Sequence, residues 1–503
     1  MTNPRSSTVD AILRRSAHRH PDRSALVYED RDWTYRELDD AVTRAAAAFL
    51  ARGLRKGDRV AAYGQNSDAY VIAFLGACRA GLVHVPINYA LTGEELAYLI
   101  DQSGAALVLA DPKLAPHLDK LARVPQSVLL HGGPDSLLDQ VRSGPVPVVD
   151  EDVADTDLCQ LIYTSGTTSR PKGAMMTHRA YVHHYASVII ALDARADDAP
   201  LHAMPLYHTA QMHVFMLPWL AVGARNRLLT VPDIPRMLEL VEQEKTRALF
   251  LAPTVWVPLS QHPDFATRDL SSLRKAYYGA SVMPGPVRER IAQALPELGW
   301  YNCFGQTEIA PLATVLYPDE HAERPESCGR PVMFVEMRVI NPDGSDVAPG
   351  ETGECVYRSP QLCEGYWDKP EETAEAFEGG WFHSGDLVRI DEEGYITVVD
   401  RIKDVINTGG VLVASREVED CIYAHPSVAE VAVISTPDPK WIEAVTAVVV
   451  LRAGLSATED ELITWSKERL AKYKIPKSVH FVDELPRNAS GKLLKRVLRE
   501  KIG

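Results

Sequence analysis

The sequence predicts an α/β protein in two parts, a large N-terminal domain of layered β-sheets and helices and a small α/β C-terminal domain. The chain has 503 residues, more than one ordinary hydrophobic core accommodates. Helical stretches alternate with short β-rich runs, as in α/β proteins. After Arg401 the charge balance changes and a compact pattern of about 100 residues begins, a typical domain size. The boundary is therefore placed between residues 400 and 401, giving domains 1–400 and 401–503.

The elements follow in order. Thr34-Tyr-Arg-Glu37 has the form of a capping box opening an amphipathic helix that stops near Gly53, and Thr92-Gly-Glu-Glu95 opens another in the same way. Arg59 to Tyr63, Leu82 to Ile87 and Ala106 to Ala110 read as short buried strands. Cys159-Gln-Leu-Ile-Tyr163 is strand-like, and Thr209 to Ala224, which is apolar but short for a membrane span and holds His213 and Pro218, reads as buried core. Trp381 to Asp400 predicts a hairpin about the turn Asp391-Glu-Glu-Gly394. If Ile390 faces Tyr395, Asp386 pairs near Val399 and Arg401 falls opposite Ser384, which makes Asp386 and Arg401 neighbours.

Composition removes several classes. A formal net charge of −15 argues against a nucleic-acid binder, whose footprint is basic. Yet Thr464 to Gly503 carries 11 basic and 4 acidic residues, which suits either a solvated helix face or a phosphate-rich ligand. Seven scattered cysteines with no C-x-x-C pair fit reduced thiols in the cytoplasm better than a disulfide framework or a zinc site. The N-terminus has no apolar core followed by a small-residue cleavage site, so no secretory signal is expected.

The most informative stretch is Tyr163-Thr-Ser-Gly-Thr-Thr-Ser-Arg-Pro-Lys-Gly173. Small hydroxyl and glycine residues followed by a lysine make a loop that offers N–H groups, hydroxyls and one cation to phosphate oxygens. It is no Walker A loop, because no glycine stands five residues after Gly166 and Gly173 follows Lys172. The chain also lacks any G-x-G triplet, against a dinucleotide fingerprint or a kinase glycine loop.

This loop resembles the signature of the adenylate-forming superfamily of acyl-CoA synthetases, adenylation domains and luciferases, and among them a bacterial fatty acyl-CoA synthetase. The family's other motifs follow in order: MPLYHTAQ at 204–211, YGAS at 278–281, FGQTE at 304–308, GGWFHSGD at 379–386, DRIKDVINTGG at 400–410 and RNASGK at 487–492. Their collinearity extends the resemblance over most of the chain.

The resemblance implies a role for each matching residue. Lys492 bridges the acyl carboxylate and the α-phosphate, and Lys172 with Thr164, Ser165, Gly166, Thr167 and Thr168 cradles phosphate. Glu308, in a tight turn after Gly305 that sets its carboxylate beside the Thr307 hydroxyl, holds magnesium with Thr168; the bland alternative for Glu308 is a helix N-terminal glutamate. Thr307 and His208 stand at the reacting carboxylate, Phe304 and Gly305 at the nucleotide. Gly279, Ala280 and Ser281 let adenine lie against the backbone. Asp386 and Arg401 hold the ribose, where residues alone would read a cross-strand salt bridge. Lys403 marks a hinge about which the small, mobile domain swings; Gly409 and Gly410 flank the pantetheine arm, and Lys474 belongs to the cofactor site. The sequence departs from the family at Ser169, where glycine is frequent, and at Val411-Leu412-Val413-Ala414-Ser415, which alters the acceptor tunnel.

The implied reaction is a two-step ligation in which an acid and MgATP give acyl-AMP and pyrophosphate, and coenzyme A then displaces AMP. The apolar segment Met212 to Val222 carries no acidic residue to meet an amino group, which points to a medium- or long-chain fatty acid. An aryl-acid ligase, an acyl-AMP ligase loading a carrier protein, and a non-catalytic acyl- or nucleotide-binding protein are the alternatives. The expected partners are the acid, ATP, Mg2+ and coenzyme A, without nucleic acid or integral membrane association; homodimer formation stays open.

Overall fold

Thr34 caps the helix Tyr35–Ala51 through the reciprocal pair its sequence predicts, accepting the Glu37 N–H at 3.2 Å while Glu37 Oε2 accepts the Thr34 N–H at 2.9 Å. Its buried side chains, Leu38, Ala41, Val42, Ala45, Ala46 and Phe49, recur at helical spacing and face the core. The second expected box departs from the prediction. The helix Gly93–Ser103 begins at the right place, but Thr92 makes no side-chain capping bond, and only Glu94 and Glu95 in the first turn complement the dipole. The three short strands appear as Arg59–Tyr63, Val83–Ile87 and Ala105–Ala110.

The structure is a computed structural model that describes residues 7–164, 170–279, 283–408, 411–439, 441–487 and 493–502. Contacts divide the chain into two units. The first holds the N-terminal residues with Arg170–Glu336 and Arg358–Phe382, the second Met337–Tyr357 and the chain from His383 onward. This differs from a division at 400/401, because a four-stranded sheet ordered Glu336–Ile340, Thr352–Arg358, Phe382–Ile390, Ile396–Arg401 groups with the C-terminal residues.

The first unit contains two sheets. One has six strands in the order Gln126–Leu129, Ala105–Ala110, Arg59–Tyr63, Val83–Ile87, Leu158–Thr164, Lys172–Thr177. The other has nine, running from Arg330–Pro331 through Leu312–Leu316, Gly299–Gly305 and Lys275–Gly279 to Ser24–Tyr28 and Arg31–Thr34. Most of their pairings are parallel, with helices burying the apolar faces. The second unit adds to its four-stranded sheet a five-stranded one built on the long antiparallel pair Val428–Asp438 and Ile442–Leu451, over a core of Val418, Ile422, Val433 and Val445.

The Thr209 to Ala224 segment is helical and buried, as Ala210–Met216 and Leu217–Ala221. Its apolar side chains are already packed: Phe215 stacks on Phe250 with centroids 3.9 Å apart, and Met212 and Met216 join the main core. No helix among the described residues is long and apolar enough to cross a membrane.

Several histidines of the first unit are buried where desolvation outweighs any help from neighbours, even at His178, whose nearby Asp10, Asp155 and Asp157 only partly offset it. Burial lowers His84 and His184 to about 3 and His178 and His202 to about 4, and pushes His213 well below the ordinary value. They stay neutral when folded and take up protons only when the chain unfolds below their ordinary value near 6.5. Stability from this source is complete above that value and is lost progressively as pH falls from there toward 4. Denaturant titrations should show the unfolding free energy dropping between pH 6.5 and 4.5, each such histidine contributing up to about 1.4 kcal/mol per pH unit. His184→Leu should reduce the proton uptake on unfolding at pH 5 by about one, and an unchanged uptake would contradict this account.

Candidate active site

In the first unit the strands Leu158–Thr164 and Lys172–Thr177 pair antiparallel, with Thr164 opposite Lys172 at the end from which 165–169 depart. Ser165, Gly166, Thr167, Thr168 and Ser169 lie outside the described residues. Facing this end is the one-turn helix Thr307–Ile309. Glu308 is only 7% exposed, and its Oε1 accepts the hydroxyls of Thr164 at 3.3 Å and Tyr366 at 3.0 Å. The Thr307 hydroxyl is hydrogen-bonded to Thr209 Oγ1 at 3.1 Å. His208, half-buried, precedes Thr209, and its Nδ1 accepts the Ala210 N–H at 3.4 Å. Lys172 Nζ lies 5.2 Å from the centroid of the Tyr366 ring. Thr164, Lys172, Thr307 and Glu308 are thus brought together with Thr209, and Tyr366 touches two of them.

Two glycines at this site have steric reasons to be glycine. Gly305, at φ +151°, ends the strand Gly299–Gly305 after Phe304; a Cβ there would sit 1.9 Å from the Pro311 carbonyl oxygen. Gly279 closes Lys275–Gly279, where a Cβ would come within 2.3 Å of the Cys303 carbonyl oxygen. Ala280 and Ser281 lie outside the described residues.

In the second unit the hairpin Phe382–Ile390 with Ile396–Arg401 forms, but in a different register. Ile390 pairs with Ile396 rather than Tyr395, and after an irregularity between Leu387 and Val388, Asp386 stands directly opposite Arg401 rather than near Val399. Asp391 is the cause at the turn: its Oδ1 accepts the N–H groups of Glu393 and Tyr395, both at 2.9 Å, drawing Tyr395 out of the ladder. Val399 is the unpaired residue of the bulge. The two shifts bring Asp386 and Arg401 closer than expected, with Arg401 Nε 2.5 Å from Asp386 Oδ1. Asp386 is buried.

Lys403 is exposed on the one-turn helix Ile402–Asp404, and Lys474 Nζ holds both oxygens of Glu417 at 2.6 Å. Much of the basic C-terminal segment is paired with acidic residues of the same unit, Arg487 with Glu430, Lys495 with Glu419 and Arg499 with Asp404. Here the charge run is chiefly an ionic surface. Lys492, Gly409 and Gly410 lie outside the described residues.

Cys78, Cys159 and His178 are the one group of three soft or acidic ligands close enough to hold a metal among the described residues. The imidazole tautomer argues against it. His178 Nδ1 accepts the Val9 N–H at 3.1 Å, so the proton of the neutral ring sits on Nε2, where a metal would need the lone pair. Glu308 offers hard oxygen chemistry instead.

Sequence reasoning missed Tyr366, whose only signal was its place in a Gly-Tyr-Trp run 58 residues beyond its partner. It also missed the aromatic rings beside two lysines of the second unit, Trp441 5.3 Å from Lys477 and Tyr473 5.6 Å from Lys474.

A model of the AMP-binding enzyme family matches residues 13–367, and one of the AMP-binding enzyme C-terminal domain matches residues 417–492. The chain is 38% identical to a feruloyl-CoA synthase of Amycolatopsis sp, over 97% of this chain and 98% of that protein. It is 34% identical to the long-chain-fatty-acid–CoA ligase FadD13 of Mycobacterium tuberculosis, over 97% of each chain. The crystal structure of ATP-bound MatB from Rhodopseudomonas palustris superposes with a TM-score of 0.89 at 31% identity, covering 98% of this chain and 99% of that one.

Replacing Gly305 by alanine should disorder the turn that carries Thr307 and Glu308, because backbone rather than a flexible side chain blocks the new methyl. The variant is expected to lose at least about 2 kcal/mol in denaturant unfolding, and wild-type stability would contradict the observed approach.

Proposed function

From the premise that the chain belongs to the AMP-binding enzyme family, as an acid–coenzyme A ligase of the adenylate-forming type that uses ATP and coenzyme A, we propose that its acid is aromatic, an aryl or arylalkenoic carboxylic acid. The observation that carries this reading is the packing after His208. The large apolar side chains of Ala210–Met216 are spent on the core, Phe215 on Phe250 and Met212 and Met216 in the main cluster, rather than offered to an alkyl chain. The similarity to a protein named feruloyl-CoA synthase supports it. A medium- or long-chain fatty acid is the second reading, favoured by the apolar character of the same segment and by the likeness to FadD13.

Adenylation joins two anions, so cations and oriented donors must gather where charge develops on the α-phosphate and the leaving pyrophosphate. In the proposed arrangement Lys172, Thr164, Ser165, Gly166, Thr167 and Thr168 take the phosphates. His208 and Thr307 stand by the acid, and Lys492 bridges its carboxylate to the α-phosphate. Phe304, Gly305, Gly279, Ala280 and Ser281 receive the base, while Asp386 and Arg401 take the ribose. Mg2+ would be held by Glu308 and Thr168, whose oxygens suit a hard cation, and bound there it would neutralise phosphate charge. Lys403 marks the proposed hinge between 1–400 and 401–503. For the second step, in which the thiolate sulfur attacks the acyl carbon and AMP departs, Gly409 and Gly410 give the pantetheine arm a path. The edge carrying Lys474, Tyr473, Trp441 and Lys477, with Leu412 and Ile442 exposed, supplies the aromatic and cationic groups that a nucleotide with phosphates needs.

A panel of acids assayed by AMP release with coenzyme A tests the substrate reading. Arylalkenoic acids should give the highest kcat/KM, and straight-chain acids from C4 to C12 a nearly flat response. A rise of about fourfold per added CH2, the value of ~0.8 kcal/mol for each, would replace the aromatic reading with the fatty-acid one.

Lys492→Ala tests the division of labour between the steps. Acid-dependent ATP–pyrophosphate exchange should fall by about two orders of magnitude or more, as on losing an oxyanion donor worth ~3 to 4 kcal/mol. Thioester formation from prepared acyl-AMP and coenzyme A should be largely retained. Equal loss of both activities would show that the lysine serves the fold or both steps.

A further inference from the structure

We propose that Tyr366 is a positioning residue of the adenylation site, fixing the Glu308 carboxylate for its cation and Lys172 for phosphate; this rests on the assignment of Glu308 to Mg2+. The main chain around Tyr366 is immobilised against the strand that bears Lys172. Tyr366 bridges Ala174, the Trp367 N–H donates to Gly173 O at 2.8 Å, the Met175 N–H to Gly365 O at 2.9 Å, and the Tyr366 N–H to Thr373 Oγ1 at 2.9 Å. From this fixed point the phenol donates to Glu308 Oε1 at 3.0 Å, while Lys172 Nζ rests 5.2 Å from the ring centroid. One side chain thereby sets the distance between the anion expected to hold the metal and the cation expected to meet phosphate.

The neighbouring residues secure Glu308 from the other side. The Cys363 N–H donates to the Glu308 carbonyl oxygen at 2.8 Å. Gln361, fully buried, accepts the Ser187 hydroxyl at 2.5 Å and donates to Ile309 O at 3.5 Å and Leu312 O at 3.2 Å, spanning the turn. Without Tyr366 the carboxylate would be held only by the longer Thr164 bond, at 3.3 Å. Thr164 and Tyr366 both donate to Oε1, and among the described residues no donor reaches Oε2, which makes Oε2 the oxygen left to a cation. A carboxylate oriented through one oxygen while the other ligates is the usual arrangement of a metal's supporting shell, and losing such a partner typically costs about ten- to a hundredfold in metal affinity.

The test uses the full-length protein without acid, so that no turnover occurs, and measures by calorimetry the affinity for ATP with Mg2+ and with the metal chelated. The ratio of the two is the metal-dependent gain. Tyr366→Phe keeps the ring beside Lys172 and removes only the donor. It should lower that gain about tenfold while leaving metal-free ATP affinity and the thermal midpoint unchanged. Tyr366→Leu should in addition weaken metal-free ATP binding, because Lys172 loses its ring. If the phenol acts through Glu308, adding Tyr366→Phe to Glu308→Gln should cost nothing further. A gain unchanged in Tyr366→Phe, or a loss that persists in full on the Glu308→Gln background, overturns the proposal. Glu308→Gln alone reports on the metal assignment separately: if it keeps the wild-type gain, that assignment fails whatever Tyr366 does. Should Tyr366→Phe fold poorly, Tyr366→His, which keeps a ring and a donor, must restore both stability and gain, and a folded histidine variant that lacks the gain also overturns the proposal.

Discussion

A carboxylate buried to 7% exposure needs hydrogen-bond donors, and the Glu308 carboxylate is held by donors from separate parts of the chain. Thr164 comes from the end of a strand in the six-stranded sheet, Tyr366 from a segment docked on the neighbouring strand, and Glu308 itself from a turn following a strand of the nine-stranded sheet. The two sheets of the first unit therefore meet at this carboxylate. Within the nine-stranded sheet Gly305 shapes the turn that carries Glu308 there, since the chain passes the Pro311 carbonyl too closely for any side chain. Satisfying one buried acid thus also fixes the turn and strand end that the proposed phosphate site would use.

The molecule's charge makes this local order necessary. A chain of net charge −15 draws no anion toward itself by its overall field, so attraction for ATP has to be short-range. The cations that the composition offers near the C-terminus are largely committed, as with Arg487, Lys495 and Arg499 on their acidic partners. Of these, Arg487–Glu430 is exposed and such pairs are worth only about 0 to 1 kcal/mol, while Lys495–Glu419 is largely buried. The Lys474–Glu417 pair is likewise only half-buried, so giving up Glu417 for the proposed phosphate contact would cost little.

Local features were the ones legible from sequence. The capping box at Thr34 and the strand Arg59–Tyr63 depend on residues a few positions apart, where spacing is decisive. The hairpin at 382–401 was legible as a hairpin but not in register, because register turned on one aspartate side chain competing for Tyr395 and on a bulge that no pattern announces. Motif resemblance named Glu308 without saying what holds it, whereas the hairpin pattern had already put Asp386 beside Arg401. Tyr366 was invisible for a topological reason: its partners stand 58 residues and nearly 200 residues away, and only strand pairing unites them. The apolar run after His208 was readable as buried, yet whether its side chains face a substrate or a core depends on Phe250, which the run itself does not encode.

The same point bears on how the site would act on its ligands. Fixing a rotamer-rich glutamate costs roughly 1.5 to 2 kcal/mol of conformational entropy, and a site that orders the side chain only when a cation arrives would lose that much from cation affinity. Here the cost falls on folding, where it is spread over the strand pairing that seats Tyr366 and the buried amide of Gln361. Donors and dipoles already in place need not reorganise as charge develops on a phosphate, and such preorganisation is the largest contribution most active sites make to rate. On the proposed assignment, an acidic chain joins two anions with few cations because groups such as Tyr366 hold Lys172 and the Glu308 carboxylate in place before the substrates arrive.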